Sequence, residues 1–214
     1  MRRMGDKETY EKNRVEMYLR LIRHGQTVSN EAHRYIGTTD EGLSETGILR
    51  LRNVLGWEPD LLFAGPMRRC LETATVLYEG REPIIIPEWT EIDFGDFEGH
   101  TYEALAGNAD YQAWIASDAR MAFPHGESRE QFIARSMQGY ARMLHYVREW
   151  KHQRMAEEAA QETDAAGMPG SRLQVAAVVH GGTIMAVCSS LFGGAYFDYQ
   201  IACGGVWECP VVLV

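Results

Sequence analysis

The sequence predicts an α/β domain, a three-layer αβα sandwich built on a mostly parallel central sheet. Short apolar runs alternate with helical patterns along the chain, as parallel strands joined by crossover helices require. One of those runs, Ile84-Ile85-Ile86, is apolar at every position, which suits a strand covered on both faces. Two others stop at a histidine followed by glycine, the kind of strand end that opens onto a ligand crevice in such sheets.

The elements follow in order. Met17 to Ile22 reads as the first strand and stops at Arg23-His24-Gly25. Residues 44–55 carry a helical pattern with Ser44 as N-cap. Asp60 to Ala64 is the second strand, and Pro66 then stands where the first turn of a helix tolerates proline, in a helix running to about Tyr78. Pro83 to Ile86 is the third strand. Residues 88–123 are irregular, rich in glycine and aromatics, with short helices near 101–105 and 109–117. Ser128 opens a long amphipathic helix bearing Phe132, Ile133, Met137, Tyr140, Leu144 and Val147 at helical spacing, continuing toward Gln161. Residues 163–171 have breakers and no period, so they form a loop. Gln174 to Val179 is the fourth strand, followed by His180-Gly181-Gly182 and an apolar helix over 183–191. A last strand lies within 205–214. A charged extension, residues 1–16, precedes a single catalytic domain over 17–214.

Composition narrows the class. The chain has 214 residues, 45% of them apolar and 24% charged, enough to bury a core without staples. A net charge of −9 argues against a general nucleic-acid binder, yet a locally positive pocket still suits a small anionic substrate. Cys70, Cys188, Cys203 and Cys209 show no metal-binding spacing and read as buried free thiols, with a Cys203–Cys209 bridge as the minor alternative. Residues 1–16 lack the apolar stretch of a signal peptide, and no run of eighteen apolar residues occurs, so a cytoplasmic protein without membrane contact is expected. A small phosphorylated metabolite is the expected partner, with a homodimer as a possible assembly.

Two strand-end histidines, each followed by glycine and then a helical segment, point to one phosphate site. Free N–H groups and the dipole at a helix start favour an anion, and Gly25 and Gly181 let the backbone approach it closely. Either His-Gly alone reads equally as a turn; the pair, with Arg23 beside the first, reads as chemistry. Arg69, in the first turn after the second strand, can reach the same crevice, whereas Arg68 reads as a solvated charge. A proton donor is also needed. Glu91, Asp93, Asp96 and Glu98 crowd one stretch, and nothing in the residues themselves selects among them.

The ordered set Leu21-Ile22-Arg23-His24-Gly25-Gln26-Thr27, Asn30, Leu43-Ser44 with Gly47, residues 66–74, 91–99, Gly126-Glu127-Ser128 and 179–183 resembles the histidine phosphatase superfamily. This is the phosphoglycerate mutase-like fold. The resemblance implies that His24 is a phosphorylated nucleophile, that Arg23, Arg69 and His180 surround the phosphoryl group, and that Asn30 is a further phosphate contact. It also selects Glu91 as general acid and base, and implies no cofactor and no metal. Asp93 and Glu98 then serve the loop's own hydrogen bonding. The family usually has serine where Gly65 stands, and Gly-Gly-Glu-Ser where His125-Gly126-Glu127-Ser128 occurs.

Hydrolase and mutase branches compete. In the mutase branch the nucleophile motif continues Glu-Ser-x-Trp-Asn and the acid sits in Glu-Arg-His-Tyr-Gly. Here the segments are Gln26-Thr27-Val28-Ser29-Asn30 and Glu91-Ile92-Asp93-Phe94-Gly95, which favours a phosphatase of small phosphomonoesters over a phosphoglycerate mutase. A non-catalytic phosphate binder and a metal enzyme using His33, His100 or His125 fit the motifs less well. Residues 92–126, with Tyr35, Ile36 and Thr38, are expected to roof the pocket. Phe94, Tyr102, Tyr111, Trp114 and Phe123 are candidates to pack a ring-bearing leaving group, Tyr111 and Trp114 equally so for the core.

Overall fold

The computed structural model describes residues 15–52, 58–160 and 172–213. Strands β1 (Val15–Arg23), β2 (Leu61–Ala64), β3 (Ile84–Ile85), β4 (Leu173–Val179) and β5 (Val206–Leu213) form one sheet in the order β3-β2-β4-β1-β5. All neighbours are parallel except β5, which runs antiparallel to β1. The helices are α1 (Val28–Glu31), α2 (Glu45–Leu51), α3 (Arg68–Leu77), α4 (Tyr102–Leu105), α5 (Ala109–Ala116), α6 (Arg129–Ala160) and α7 (Gly181–Phe192). β1 begins two residues before the expected domain boundary. The rest of the charged extension, the end of the helix expected over 44–55 and the loop over 163–171 lie outside the described residues.

Alternation along β1 decides the layers. Met17, Leu19 and Leu21 face one side with Phe63, Val175 and Ala177, and there α6 packs Tyr140, Met143 and Val147 beside Ile184 and Val187 of α7. Ile22, Leu62, Ala64, Ala176 and Val178 face the other side, where α3 lays Cys70, Ala74 and Tyr78. Helices thus cover both faces, as expected. β4, flanked by β1 and β2, is buried from Val175 to Val179.

The isoleucine run departs from expectation. Ile84 and Ile85 form the strand at the sheet edge against β2, and Ile85 is 39% exposed while Ile86, whose N–H donates to Ala64 O (2.9 Å), is fully buried. Its continuous apolarity reflects a short edge strand turning inward at Ile86 and not burial on both faces. The cysteines are free; three are buried and Cys203 is partly exposed, so the alternative bridge is absent. Among the described residues no helix is long and apolar enough to cross a membrane.

Beyond the carboxyl ends of the strands, the irregular stretch contributes most of a third, aromatic cluster. Ile92, Phe97, Leu105, Tyr111, Phe123 and Phe132 pack with Tyr35, Phe94, Trp114 and Tyr196. The rings meet edge to face and stacked, as between Phe97 and Tyr111 or Trp114 and Phe123. This cap gives the sheet's functional end a wall that the sheet cannot supply.

Gly65, immediately after β2, shows how tightly the cap is seated. A Cβ there would lie 2.3 Å from the carbonyl oxygen of Trp89, a backbone atom that cannot swing away. The serine usual at this position in the resembling family therefore has no room here. Gly65→Ser is expected to destabilise the protein by about 2 kcal/mol, seen as a lower urea midpoint at unchanged m-value.

Candidate active site

The register of β1 and β4 builds the site. Arg23 pairs with Val179, so the next residues, His24 and His180, leave the sheet side by side. Their rings lie 5.1 Å apart, centroid to centroid, at 68°. The His24 N–H donates to Val179 O (2.9 Å), and the Gly204 N–H reaches the carbonyls of both Arg23 and His24 (3.0 Å). The backbone of His24 is thus tied from both sides, with 3% of the residue exposed.

Its ring is oriented as tightly. Nδ1 lies 2.7 Å from the Gly25 carbonyl, a group that only accepts, so Nδ1 carries the proton and Nε2 keeps its lone pair. The Gly25 peptide is held in turn, its N–H donating to Thr73 Oγ1 (2.9 Å) on α3. Burial, then the Arg69 charge, with a smaller push from Arg23, lower the His24 pKa to about 3 against the raising effect of the Gly25 carbonyl. The ring is neutral at physiological pH. His180 is also held well below its ordinary value, by burial first and Arg69 second.

Arg69 is 1% exposed, and its side chain is held by two carbonyls and an imidazole in place of a carboxylate. Nη1 donates to Thr39 O (2.8 Å), Nη2 to Gly37 O (3.0 Å), and Nε to His180 Nδ1 (3.3 Å). Those carbonyls belong to a loop that Glu98 grips, its carboxylate accepting the N–H groups of Gly37 and Thr39 at 2.9–3.0 Å. Glu98 thereby positions Arg69 without touching it. Arg68 points away, pairing with Glu72 at 2.6 Å on the surface. Arg23 donates from Nη1 to Ile201 O (2.6 Å), while its buried Nε has no partner among the described residues. That is an unspent donor beside His24.

Asn30 owes its place to a cap. Thr27 caps α1, accepting from the Asn30 N–H (3.1 Å), and Asn30 Oδ1 accepts from the Thr27 N–H (3.3 Å). The side-chain oxygen is spent inside the cap, which leaves the Asn30 amide N–H groups to donate outward.

Glu91 sits at the start of α7. Oε1 accepts from the Ile92 N–H (2.9 Å) and Oε2 approaches the Gly182 N–H (3.4 Å). Burial raises its pKa, against the lowering pull of the Ile92 N–H and of the charges on Arg69 and Arg23. Its backbone is held by Arg135 of α6, whose guanidinium donates to the carbonyls of Glu88 (2.7 Å) and Thr90 (3.1 Å) while pairing with Glu127 at 2.8 Å. Asp93 accepts from Gly95 N–H (2.9 Å) and, like Glu98, serves the loop.

A cavity of about 270 Å³ opens between these groups and the aromatic cap. Arg23, His24, Asn30, Glu91 and Gly181 line it, whereas Arg69 and His180 stand buried behind His24. Phe94, Trp114, Phe123, Tyr35 and Ile36 form its walls as expected. Tyr102 is 56% exposed and apart from it. Tyr111 is buried and bonds to the Tyr35 hydroxyl (2.9 Å), and Thr38 lines a different cavity. Arg34, Arg129, Met185, Tyr196 and Phe197 also line it with no signal in the sequence, because their approach depends on loop paths and not on local pattern. Arg135 escaped for the same reason, whereas Glu127 and Thr73 lie in segments that carry the resemblance but were given no role there. His125 is exposed and 3.0 Å from Asp96, and no group of three potential metal ligands occurs among the described residues.

Residues 19–201 match the model of the histidine phosphatase superfamily, branch 1. Glucosyl-3-phosphoglycerate phosphatase of Mycolicibacterium vanbaalenii is 33% identical over 182 residues, covering 81% of this chain and 73% of that protein. The crystal structure of the α-ribazole phosphatase from Shigella flexneri superposes with a TM-score of 0.69 at 25% identity, covering 90% of this chain and 89% of the other. A phosphoglycerate mutase structure from Thermus thermophilus gives 0.62 at 27% identity, with 90% and 92% covered.

The seat of Glu91 makes a separate demand on Gly182, where a Cβ would stand 2.3 Å from Glu91 Oε1 and 2.8 Å from the Phe132 ring. Gly182→Ala should drive the carboxylate outward into solvent and bring its raised pKa down toward the ordinary carboxylate value. A carbon-detected NMR titration of labelled glutamate reads this directly, and an unmoved pKa would place the group elsewhere.

Proposed function

The chain belongs to the histidine phosphatase superfamily, branch 1, and from that membership and the pocket we propose a metal-independent phosphatase of small phosphomonoesters acting through a phosphohistidine on His24. The phosphatase names of its relatives support hydrolysis. One observation carries the mechanism: a buried, neutral His24 whose Nδ1 proton is committed to Gly25 O, leaving an Nε2 lone pair in a cavity shared with Arg23, Asn30 and Glu91.

In this reading Nε2 attacks phosphorus while the bond to the ester oxygen breaks, and protonated Glu91 gives its proton to the leaving alkoxide. The displaced alcohol departs. Water then attacks the phosphohistidine as Glu91 takes its proton, releasing phosphate and restoring both groups. The unspent Arg23 Nε–H, the Asn30 amide, the start of α7 beside Gly181 and the nearby charge of Arg69 stabilise the equatorial oxygens. His180, neutral and bonded to Arg69, keeps that guanidinium and the His24 ring in register. The raised Glu91 pKa serves the donor role, since a carboxyl group must hold its proton until the ester oxygen takes it.

His24→Ala should reduce hydrolysis of p-nitrophenyl phosphate by at least a thousandfold. It should also abolish the acid-labile, base-stable phosphoprotein trapped by rapid quench with labelled substrate. Retained turnover would end the nucleophile assignment. Efficient isomerisation of 3-phosphoglycerate in the presence of its bisphosphate, outpacing hydrolysis, would replace the phosphatase with a mutase.

The pH profile supplies a second check. With His24 unprotonated down to a pKa of about 3, kcat/KM, corrected for the substrate's own ionisation near ~6, should hold steady as pH falls through ~6.5, where a free imidazole would charge. It should decline on the alkaline side as Glu91 loses its proton, and Glu91→Gln should remove that decline. An acid limb centred near ~6.5 would show His24 to be an ordinary, solvated imidazole.

A further inference from the structure

Two guanidinium groups line the His24 cavity without a role in the chemistry above. Arg34 follows α1 and Arg129 opens α6. Among the described residues neither has a carboxylate within ion-pair distance, although this chain carries 30 acidic residues against 21 basic ones and pairs many of its other arginines. Arg34 donates one bond, to Gly99 O (2.7 Å), and Arg129 one, to Asp118 O (3.2 Å). A guanidinium has five N–H donors, so most remain unspent on both. Arg129 is also held over the rings of Tyr196 (5.6 Å) and Phe197 (6.0 Å), which fixes its plane against the cavity wall.

The cavity therefore presents three kinds of surface to one ligand. Arg23, His24 and Asn30 meet a phosphoryl group, while Phe94, Trp114 and Phe123 offer ring faces. Arg34, which is exposed, and Arg129, which is half-buried, offer positive charge that no carboxylate among the described residues pairs. An apolar leaving group alone would leave those charges unmatched and partly desolvated on binding, at a cost that a second anion removes. The geometry points to a phosphomonoester whose leaving group has an apolar, ring-like body and a second anionic group, carboxylate or phosphate, bound by Arg34 and Arg129. A volume of about 270 Å³ suits a small body of this kind. The inference rests on the phosphatase reading of the His24 end and names the substrate class of that same cavity.

The test compares phenyl phosphate with 4-carboxyphenyl phosphate and 1,4-phenylene bisphosphate, in the wild type and in Arg129→Met and Arg34→Met. The wild type should favour at least one of the doubly anionic esters over phenyl phosphate by tenfold or more in kcat/KM, and the arm that gains distinguishes carboxylate from phosphate. Each substitution should shrink that ratio several-fold, chiefly through KM, and added salt should shrink it too. A ratio near one in the wild type, or one that both substitutions leave intact, overturns the subsite. Calorimetric titration of the same ligands into His24→Ala separates this from the hydrolase reading. If no ester is hydrolysed but doubly anionic ligands still bind more tightly, and Arg129→Met in that background removes the difference, the phosphatase reading falls and the subsite stands. Equal affinity for all three ligands overturns the subsite whatever the turnover.

Discussion

Everything at the functional end follows from the parallel pairing of β1 with β4. Side-by-side strands in register place Arg23 against Val179, and the residue after each is a histidine. A slip of one residue would bury the wrong side chains of β1 and part the two rings, so the hydrophobic alternation that holds the sheet also holds the site. β4 is central and β1 is hydrogen-bonded along both edges. His24 therefore follows a strand held along both edges, while the pocket's wall stands on the irregular cap.

The second organising choice concerns how charge is anchored. Arg69 is buried and held by two carbonyls and a neutral imidazole, partners that satisfy its donors without cancelling its charge. A carboxylate in their place would have neutralised it. Glu98 acts one step removed, gripping the loop whose carbonyls do the holding. Arg135 is the contrasting case: paired with Glu127, it contributes little field and serves to brace the backbone from Glu88 to Glu91. One guanidinium is kept electrostatically live and the other is used as a fastener. The uncancelled charge also helps burial to hold both histidines neutral.

Much of this was legible in the sequence because it is local. Apolar runs, helical spacing and the His-Gly strand ends each occupy a few consecutive residues, and they place β1, β2, β4, α3, α6 and α7 to within a few positions. Glu91 was legible only by resemblance, since Asp93, Asp96 and Glu98 lie nearby and what distinguishes Glu91 is its meeting with Gly182, ninety-one residues away. The four-residue helix α1 was too short to show a period, although Thr27 and Asn30 cap it together. The isoleucine run misled because an apolar residue on an edge strand need not be covered, and Ile85 lies 39% exposed there. Arg34, Arg129, Thr73 and Arg135 act across long separations in the chain, and no pattern within a window of residues encodes such meetings.

The bond from His24 Nδ1 to the Gly25 carbonyl has an evolutionary side. A backbone oxygen is present whatever residue occupies position 25, so no single substitution there can delete the group that sets the tautomer of His24. The cavity walls have no such insurance: Phe94, Trp114, Arg129 and Phe197 act through side chains alone and can be exchanged one at a time. The tautomer of His24 is thereby buffered against mutation while the cavity walls are free to drift. Such a division lets a lineage change what the cavity admits while the histidine at its edge keeps one fixed orientation.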